Sequence, residues 1–509
     1  MSVGSRSRHL STIAYTLSVL GGALYFLGWA GFGIWPLELV AFVPLWCALE
    51  LLQGRPWKHA AGVGLMYGTV AMGGGYHWMF ETSREFSGFG AIANVGVFIA
   101  CAAYLGSQFG IQALLYRAVR GRGGSVTSAA LCSLLVTEWL FPRWYPAFVG
   151  NSLVDQTLFV QVADLGGPLL LSALVGIVNV VLFELLRWTQ GSRGFPALVL
   201  TAATSALMGS ALYGSLRIGK IDAAVETAPA IEIGLVQAYM SIPAKAEDPL
   251  ESPRRHLEQS RELEARGALD LLVWPETSYY PYLPRSVPFE AADVRAGLRS
   301  PILFGAFSFR MESGRMRVYN SAFLLESDDW IRSMYDKNHL MLGGEHIPFG
   351  ERFPFLYRLV PNAGRLTPGR QLEPLQLGAW RISTPICYED ILPGFIRDMV
   401  NHAEPHILIN LTNDVWFRDS QATWIHLRLA QLRAVEHRRY LVRATNTGVT
   451  AVVDPAGRVV AKAPVLQRDS LRVTVHMLEG QTLYARLGDW PGWLSLLGMG
   501  ALVARRGRR

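Results

Sequence analysis

Cysteine is almost missing. There are four in 509 residues, at Cys47, Cys101, Cys132 and Cys387. The first three lie in apolar segments, so Cys387 stands alone in the polar part of the chain. A disulfide framework is excluded there, and a free thiol remains. Charge is scarce from Leu10 to Ser215, where long apolar runs dominate. From about Ile221 to Gly480 the composition is that of a soluble globular domain. A last apolar run, Trp490 to Ala504, precedes Arg505, Arg506, Arg508 and Arg509. Half of the residues are apolar and the mean hydropathy is +0.23. Such a chain is too long for one ordinary domain and too apolar for a purely water-soluble protein. The expected organisation is a membrane domain over 1–220, a soluble domain over 221–480, and a final helix with a basic tail over 481–509.

A helix that crosses a bilayer needs about 20 apolar residues, and seven stretches before the soluble domain qualify, at roughly 11–31, 34–52, 59–79, 88–115, 125–141, 166–186 and 195–214. An eighth covers roughly 488–504. The fifth is short and holds Glu138, which fits a re-entrant segment or one buried among its neighbours. The first is followed by further spans, so it is not a cleaved signal peptide. Arg6, Arg8, Arg55, Lys58, Arg117, Arg120, Arg122, Arg187, Arg193 and the basic tail all flank one side of this arrangement, whereas the alternate loops hold only Arg84 and Arg143. The positive-inside rule then puts both termini in the cytoplasm and the soluble domain outside. The net charge of +7 is mostly accounted for by these flanking residues, which leaves no nucleic-acid footprint. Glu81, Arg84 and Glu85 read as solvated loop charge.

In the soluble part, Ile231–Gln237, Leu271–Glu276, Pro301–Phe309, Tyr319–Glu326, Trp330–Tyr335, Trp380–Ile386, His406–Leu411, Leu441–Thr445 and Val449–Val453 read as strands. Helical spacing covers Pro253–Gly267 and Thr423–Tyr440. The alternation suggests an α/β sandwich. Three strands run into a polar residue: Glu276 after Trp274-Pro275, Lys337 after Tyr335-Asp336, and Cys387 in Thr384-Pro385-Ile386-Cys387-Tyr388-Glu389-Asp390. Taken alone, each has a plain structural reading: a surface turn, a hairpin charge, a small core residue. Together they supply a base, a cation and a thiol, the parts needed for acyl transfer through a thioester.

Trp274-Pro275-Glu276, Tyr335-Asp336-Lys337-Asn338-His339-Leu340 and Cys387-Tyr388-Glu389 resemble the Glu–Lys–Cys triad blocks of the nitrilase superfamily. Asn413-Asp414-Val415-Trp416-Phe417 and Thr445-Asn446-Thr447-Gly448-Val449-Thr450 are similar to further blocks. With its apolar spans the whole chain resembles the apolipoprotein N-acyltransferase family, the membrane-embedded branch. Three places depart from the family's usual pattern. Met341-Leu342-Gly343-Gly344-Glu345 stands where Val-Pro-Phe-Gly-Glu is usual, Arg418 where Gly follows Trp-Phe, and Ala238-Tyr239 where Gly-Asn follows Val-Gln.

The resemblance implies an αββα sandwich beside the helical membrane domain, with Glu276, Lys337 and Cys387 catalytic. It also implies a bacterial inner membrane, with the soluble domain on its periplasmic side. The thiol of Cys387 attacks a phospholipid ester, phosphatidylethanolamine being the expected donor, and the acyl group passes to the N-terminal amine of a diacylglyceryl-cysteine apolipoprotein. Glu276 acts as base. Lys337 and the backbone N–H of Tyr388 stabilise the oxyanion, and Lys337 is expected to favour the thiolate. Glu345 orients Lys337, assists the intermediate, or serves as a structural ion-pair partner, and Glu389 supports the loop after the cysteine. Tyr279 and Tyr282, in the stretch Tyr279–Pro284, and Phe349, in His346–Tyr357, belong to aromatic, proline-rich segments suited to a membrane interface. Trp416 lines the lipid entrance or packs in the core. The spacings of His339, His346, His426 and His437 match no ligand pattern, so neither metal nor cofactor is expected. Arg433 and Glu436 read as a structural pair. Two other readings remain, a membrane-tethered nitrilase-type amidase and a non-catalytic membrane scaffold.

Overall fold

The computed structural model describes residues 3–29, 31–87, 89–192, 194–241 and 247–504. Arg193, the tail Arg505, Arg506, Arg508 and Arg509, and the side chains of Arg6 and Glu85 lie outside the described residues. The chain divides into two compact units. One comprises Met1–Arg84, Phe89–Arg217 and Leu487–Arg509; the other comprises Glu85–Gly88 and Ile218–Arg486.

The first unit is helical. Among the described residues, four helices are long and apolar enough to cross a membrane: Arg8–Gly28, Ala91–Gly121, Ala163–Thr189 and Ala197–Thr227. Leu198, Met208, Leu212 and Leu216 on the last of these are more than 60% exposed. Such a face would be costly in water, at about 25 cal/mol per Å² of apolar surface, and costs nothing against lipid. The helix turns polar at Arg217, where the ion pair with the buried Asp164 (2.8 Å) marks the end of the apolar stretch. The 15-residue helices Val126–Leu140 and Trp490–Ala504 span only about 22 Å each at 1.5 Å per residue. Glu138 on the first is buried and accepts the Val149 N–H at 2.7 Å, which fits the expected burial among neighbours. The segment expected to span over 34–52 is not one helix. It is a 3₁₀ segment, Trp35–Leu39, followed by the ten-residue helix Phe42–Leu51. Pro36 and Pro44 each fall in a first turn, where a missing N–H is tolerated, and they set two separate helix starts. Glu81 and Arg84 form an exposed ion pair at 3.7 Å, as solvated charge does.

The second unit is a two-sheet α/β sandwich. Its strands are β1 (Ala230–Gln237), β2 (Leu271–Val273), β3 (Tyr279–Pro284), β4 (Phe289–Glu290), β5 (Ile302–Glu312), β6 (Arg315–Leu325), β7 (Trp330–Asp336), β8 (Leu375–Leu377), β9 (Trp380–Ser383), β10 (Ile407–Thr412), β11 (Leu441–Thr445), β12 (Ala451–Val453), β13 (Val459–Lys462) and β14 (Asp469–His476). One sheet runs β14-β1-β2-β5-β6-β7-β4 with β3 beside β5; the other runs β13-β12-β11-β10-β9-β8. The centres of both are parallel, β1-β2-β5 and β9-β10-β11, and such strands must be apolar on both faces. Ile407–Thr412 is buried at every residue. The sheets are joined by Gln237, whose amide oxygen accepts from Thr450 at 2.5 Å and whose amide nitrogen donates to the carbonyls of Pro464 and Gln467. Helix Glu251–Ala265 covers β1 and is fastened by the Trp274 indole to Ser260 at 2.9 Å. Helix Gln421–His437 is buried along its length and ends at Arg438 in a left-handed cap, three residues short of the expected Tyr440. Arg433 and Glu436 pair within it at 2.6 Å.

Candidate active site

The parallel strands end at the same edge, and the polar residues that follow them meet there. Glu276 sits three residues past β2 and Lys337 one past β7. Close approach is possible because β5 carries Gly305 beside this turn: a Cβ there would lie 2.7 Å from the Glu276 Cα. Lys337 is 1% exposed. Its Nζ lies 3.3 Å from Glu276 Oε1 and 2.8 Å from Glu345 Oε2. Asn320, on β6, donates to both carboxylates, at 2.7 Å to Glu276 and 3.0 Å to Glu345. One ammonium and one amide thus hold two carboxylates.

Glu345 is delivered by the departure Met341–Gly344. Gly343 has φ +79°, and the turn closes through the Glu345 N–H to the Met341 carbonyl at 2.9 Å. The Glu345 carboxylate in turn accepts the Met341 N–H at 2.8 Å. The glutamate therefore reaches Lys337 without the usual Pro-Phe.

The strand leading to the cysteine is shorter than expected. It ends at Ser383, since Pro385 cannot donate to a ladder, and contact resumes as a single bridge from Ile386 to Leu411. Cys387 opens a 3₁₀ turn with φ +53°, a conformation rarely held by a residue with a side chain. Such strain, of order 1–3 kcal/mol, persists only where the surroundings enforce it. Here Asn410 donates to the carbonyls of Pro385 (3.1 Å) and Cys387 (2.9 Å). Glu389 accepts four bonds: from the Ile386 N–H (2.7 Å), the Tyr335 hydroxyl (2.9 Å), and the N–H groups of Asn338 (2.6 Å) and His339 (2.8 Å). It ties the cysteine loop to the lysine segment. Behind it, Asp390 pairs with Arg443 and with His426 Nε2 (3.0 Å), and His426 Nδ1 meets Asp414 at 2.8 Å. His426 is thus a bridge between two carboxylates.

The charges bear on the thiol in opposite senses. Burial, and then the Glu276 carboxylate, push Cys387 up to about 12, with Lys337 opposing. Lys337 does favour the thiolate, but desolvation and the glutamate outweigh it, so the group stays a thiol until a base takes its proton. Burial followed by Glu345 raises Glu276 above the ordinary glutamate range, against the pull of Lys337 and Asn320. Burial would lower Lys337, but its anionic neighbours outweigh that and hold it charged. Burial raises the Tyr388 phenol to about 12, which keeps it a neutral donor.

Tyr279 and Tyr282 share a strand. They lie on β3, which pairs with β5 as an edge strand whose Pro281 and Pro284 need no ladder partner. Tyr282 stacks on Phe307 at 5.7 Å and remains 51% exposed. Phe349 is 74% exposed, in a segment that also exposes Phe353 and Phe355. Trp416 is half-buried on the short 3₁₀ turn Asp414–Phe417.

Comparison with known proteins accounts for both units. A model of the apolipoprotein N-acyltransferase N-terminal domain matches residues 21–181, and one of the carbon-nitrogen hydrolase family matches 232–481. An apolipoprotein N-acyltransferase of Geobacter metallireducens is 30% identical over 506 residues, covering 97% of this chain and 95% of the relative. The chain belongs to the apolipoprotein N-acyltransferase family. A second relative, of that name, from Methylococcus capsulatus is 29% identical and covers 97% of each chain. A nitrilase-superfamily structure from Saccharomyces cerevisiae covers 48% of this chain and 90% of its own, at 17% identity and a TM-score of 0.37. Membership of the N-acyltransferase family makes the chain an acyltransferase within the carbon-nitrogen hydrolase superfamily and a bacterial membrane protein. Asn320, Asn410 and the Asp390–His426–Asp414 chain escaped the sequence reading. Each acts through a contact made by folding, and only Asp390 and Asp414 stood inside recognised blocks.

Proposed function

We propose that this member of the apolipoprotein N-acyltransferase family works in two half-reactions through a thioester on Cys387. The observation that best supports this is the meeting of Glu276, Lys337 and Glu345 beside a buried thiol on a strained turn. In the first half-reaction the Cys387 sulfur attacks the carbonyl of a phospholipid ester. Its proton passes to Glu276 as the S–C bond forms, since a thiol raised to about 12 is not ionised in advance. Lys337 and the Tyr388 N–H stabilise the oxyanion. The C–O bond then breaks and Glu276 returns the proton to the leaving lysophospholipid. In the second, the α-amine of a diacylglyceryl-cysteine attacks the thioester, loses a proton to Glu276, and expels the sulfur, which recovers that proton. An amide and the free enzyme result. Glu345 fixes Lys337, and Glu389 fixes the cysteine loop. Phosphatidylethanolamine is the donor that we favour. The flanking arginines support cytoplasmic termini and a periplasmic catalytic unit. The exposed Phe349 segment and Trp416 supply the apolar surface that meets lipid.

The test is intact mass spectrometry of the full chain after incubation with phosphatidylethanolamine without acceptor. The expected result is one added acyl chain, absent in Cys387→Ala and discharged by a diacylglyceryl peptide. An unmodified protein and intact lipid would rule the donor out.

A further inference from the structure

Two of the three departures from the family pattern, Ala238-Tyr239 and Arg418, come together. Tyr239 and Arg418 line one cavity of the catalytic unit, of ≈ 510 Å³, with Arg255 and Asp419 also in its wall. Both residues sit at positive φ. Tyr239 has φ +52°, where the usual Asn is at ease, and Arg418 has φ +48° and ψ −145°, a conformation suited to the usual Gly. An arginine held at a glycine conformation carries strain that its side chain must offset, and strain of this kind points to a functional contact.

The cavity is linked to the cysteine turn through a buried polar network. Its wall residues Met240, Val415 and Thr447 flank a buried polar network: Asn446 donates to the Met240 carbonyl at 2.6 Å and to Asn413 at 3.0 Å. Asp414, next in the chain, is one of the charges felt by Cys387 and is bonded through His426 to the cysteine turn. In a glycerophospholipid only the glycerol carbons separate an ester carbonyl from the phosphate, so a headgroup must lie close to the nucleophile. The wall offers two guanidiniums, which match phosphate oxygens, and one carboxylate, which matches an ammonium. Arg255 also bonds Glu251 at 2.7 Å, which fixes its position in the wall.

We propose that this cavity is the headgroup subsite of the donor, in which Arg418 and Arg255 take the phosphate and Asp419 the amine of a zwitterionic phospholipid. The proposal rests on the phospholipid-donor reading above.

The test follows acyl-enzyme formation on the full chain against phosphatidylethanolamine concentration. Arg418→Gly returns the residue that the backbone prefers, so its melting temperature should not fall. It should raise the half-saturating lipid concentration about tenfold, the loss of one charge-assisted contact, with a limiting rate little changed. Arg418→Lys should fall between the two. Asp419→Asn should narrow the preference for phosphatidylethanolamine over phosphatidylglycerol. Equal half-saturating concentrations for wild type and both Arg418 variants overturn the proposal, as does an unchanged headgroup preference in Asp419→Asn. Millimolar inorganic phosphate forms the second arm. Inhibition of wild type but not of Arg418→Gly, with equal lipid saturation, assigns the cavity to the free anion and overturns the headgroup reading. If wild type acquires no acyl group from any phospholipid, it is the donor reading that fails.

Discussion

Glu276 and Glu389 are both buried glutamates within a short reach of Lys337 and Cys387, yet the two regions are built differently. Glu389 accepts four hydrogen bonds, three from backbone N–H groups and one from the Tyr335 phenol. Glu276 accepts from two buried side chains, the Asn320 amide and the Lys337 ammonium, both on the same oxygen. A carboxylate surrounded by fixed donors serves as a clamp, since taking up a proton would break a bond it already makes. A carboxylate held by an amide and a cation can accept and return one. The difference teaches that the number and kind of donors, rather than burial, separate support from acid–base work.

Glu276→Gln should sharpen that comparison most. We expect acyl-enzyme formation to fall by about 10³-fold, within the range for a lost general base, with the melting temperature nearly kept. Glu389→Gln should do the reverse. Oε1 faces the Asn338 and His339 N–H groups and Oε2 faces the Ile386 N–H and the Tyr335 hydroxyl, so a Gln amide turned either way points its NH₂ at donors. The expected cost is about 2–4 kcal/mol of stability, read as a lower unfolding midpoint. A stable Glu389→Gln with wild-type unfolding would break the comparison.

The pH profile comes next in size. Glu276 must be ionised to take the thiol proton, and burial together with Glu345 raises its carboxyl. Acyl-enzyme formation should therefore rise with pH along a limb lying above that of an exposed glutamate. Below that limb Glu276 is protonated and cannot act. No second limb from the thiol is expected below about 12. Alkylation of Cys387 by iodoacetamide should accordingly be slow at neutral pH. In Glu276→Gln it should speed up, because removing the anion lowers the thiol. Rapid alkylation of wild type at neutral pH would point to a standing thiolate, with Lys337 outweighing burial and the glutamate.

Much of this site was legible in the sequence, because its chemistry follows strand ends. The apolar runs before Glu276 and Lys337 and the run toward Cys387 declared buried strands, and the residue after each declared its use. What was illegible depends on partners far along the chain. Asn320 is an ordinary strand residue until β6 places it between two carboxylates. His426 could not be assigned from spacing, since its partners Asp390 and Asp414 lie 36 and 12 residues away. The stretch Tyr279–Pro284 carries no strand signal of its own, since prolines do not fit a central strand, and only its position beside β5 makes it one. The membrane segment 34–52 was misjudged for a related reason: hydropathy counts apolar residues and ignores where Pro36 and Pro44 restart the helix.

The smallest predicted effect concerns Gly343. A Cβ at this position would meet nothing within 4 Å, so Gly343→Ala adds no clash. Its φ of +79° still penalises any side chain, and the expected cost is about 1 kcal/mol. The turn it shapes is anchored by the Met341 and Glu345 bonds and delivers Glu345 to Lys337. A strained turn should loosen that contact, so acyl-enzyme formation should slow severalfold while Glu276 keeps its role and the pH limb stays in place. A limb that moves in Gly343→Ala would instead mean that Glu345 acts on Glu276 directly, through the repulsion that helps raise it, rather than through the lysine they share.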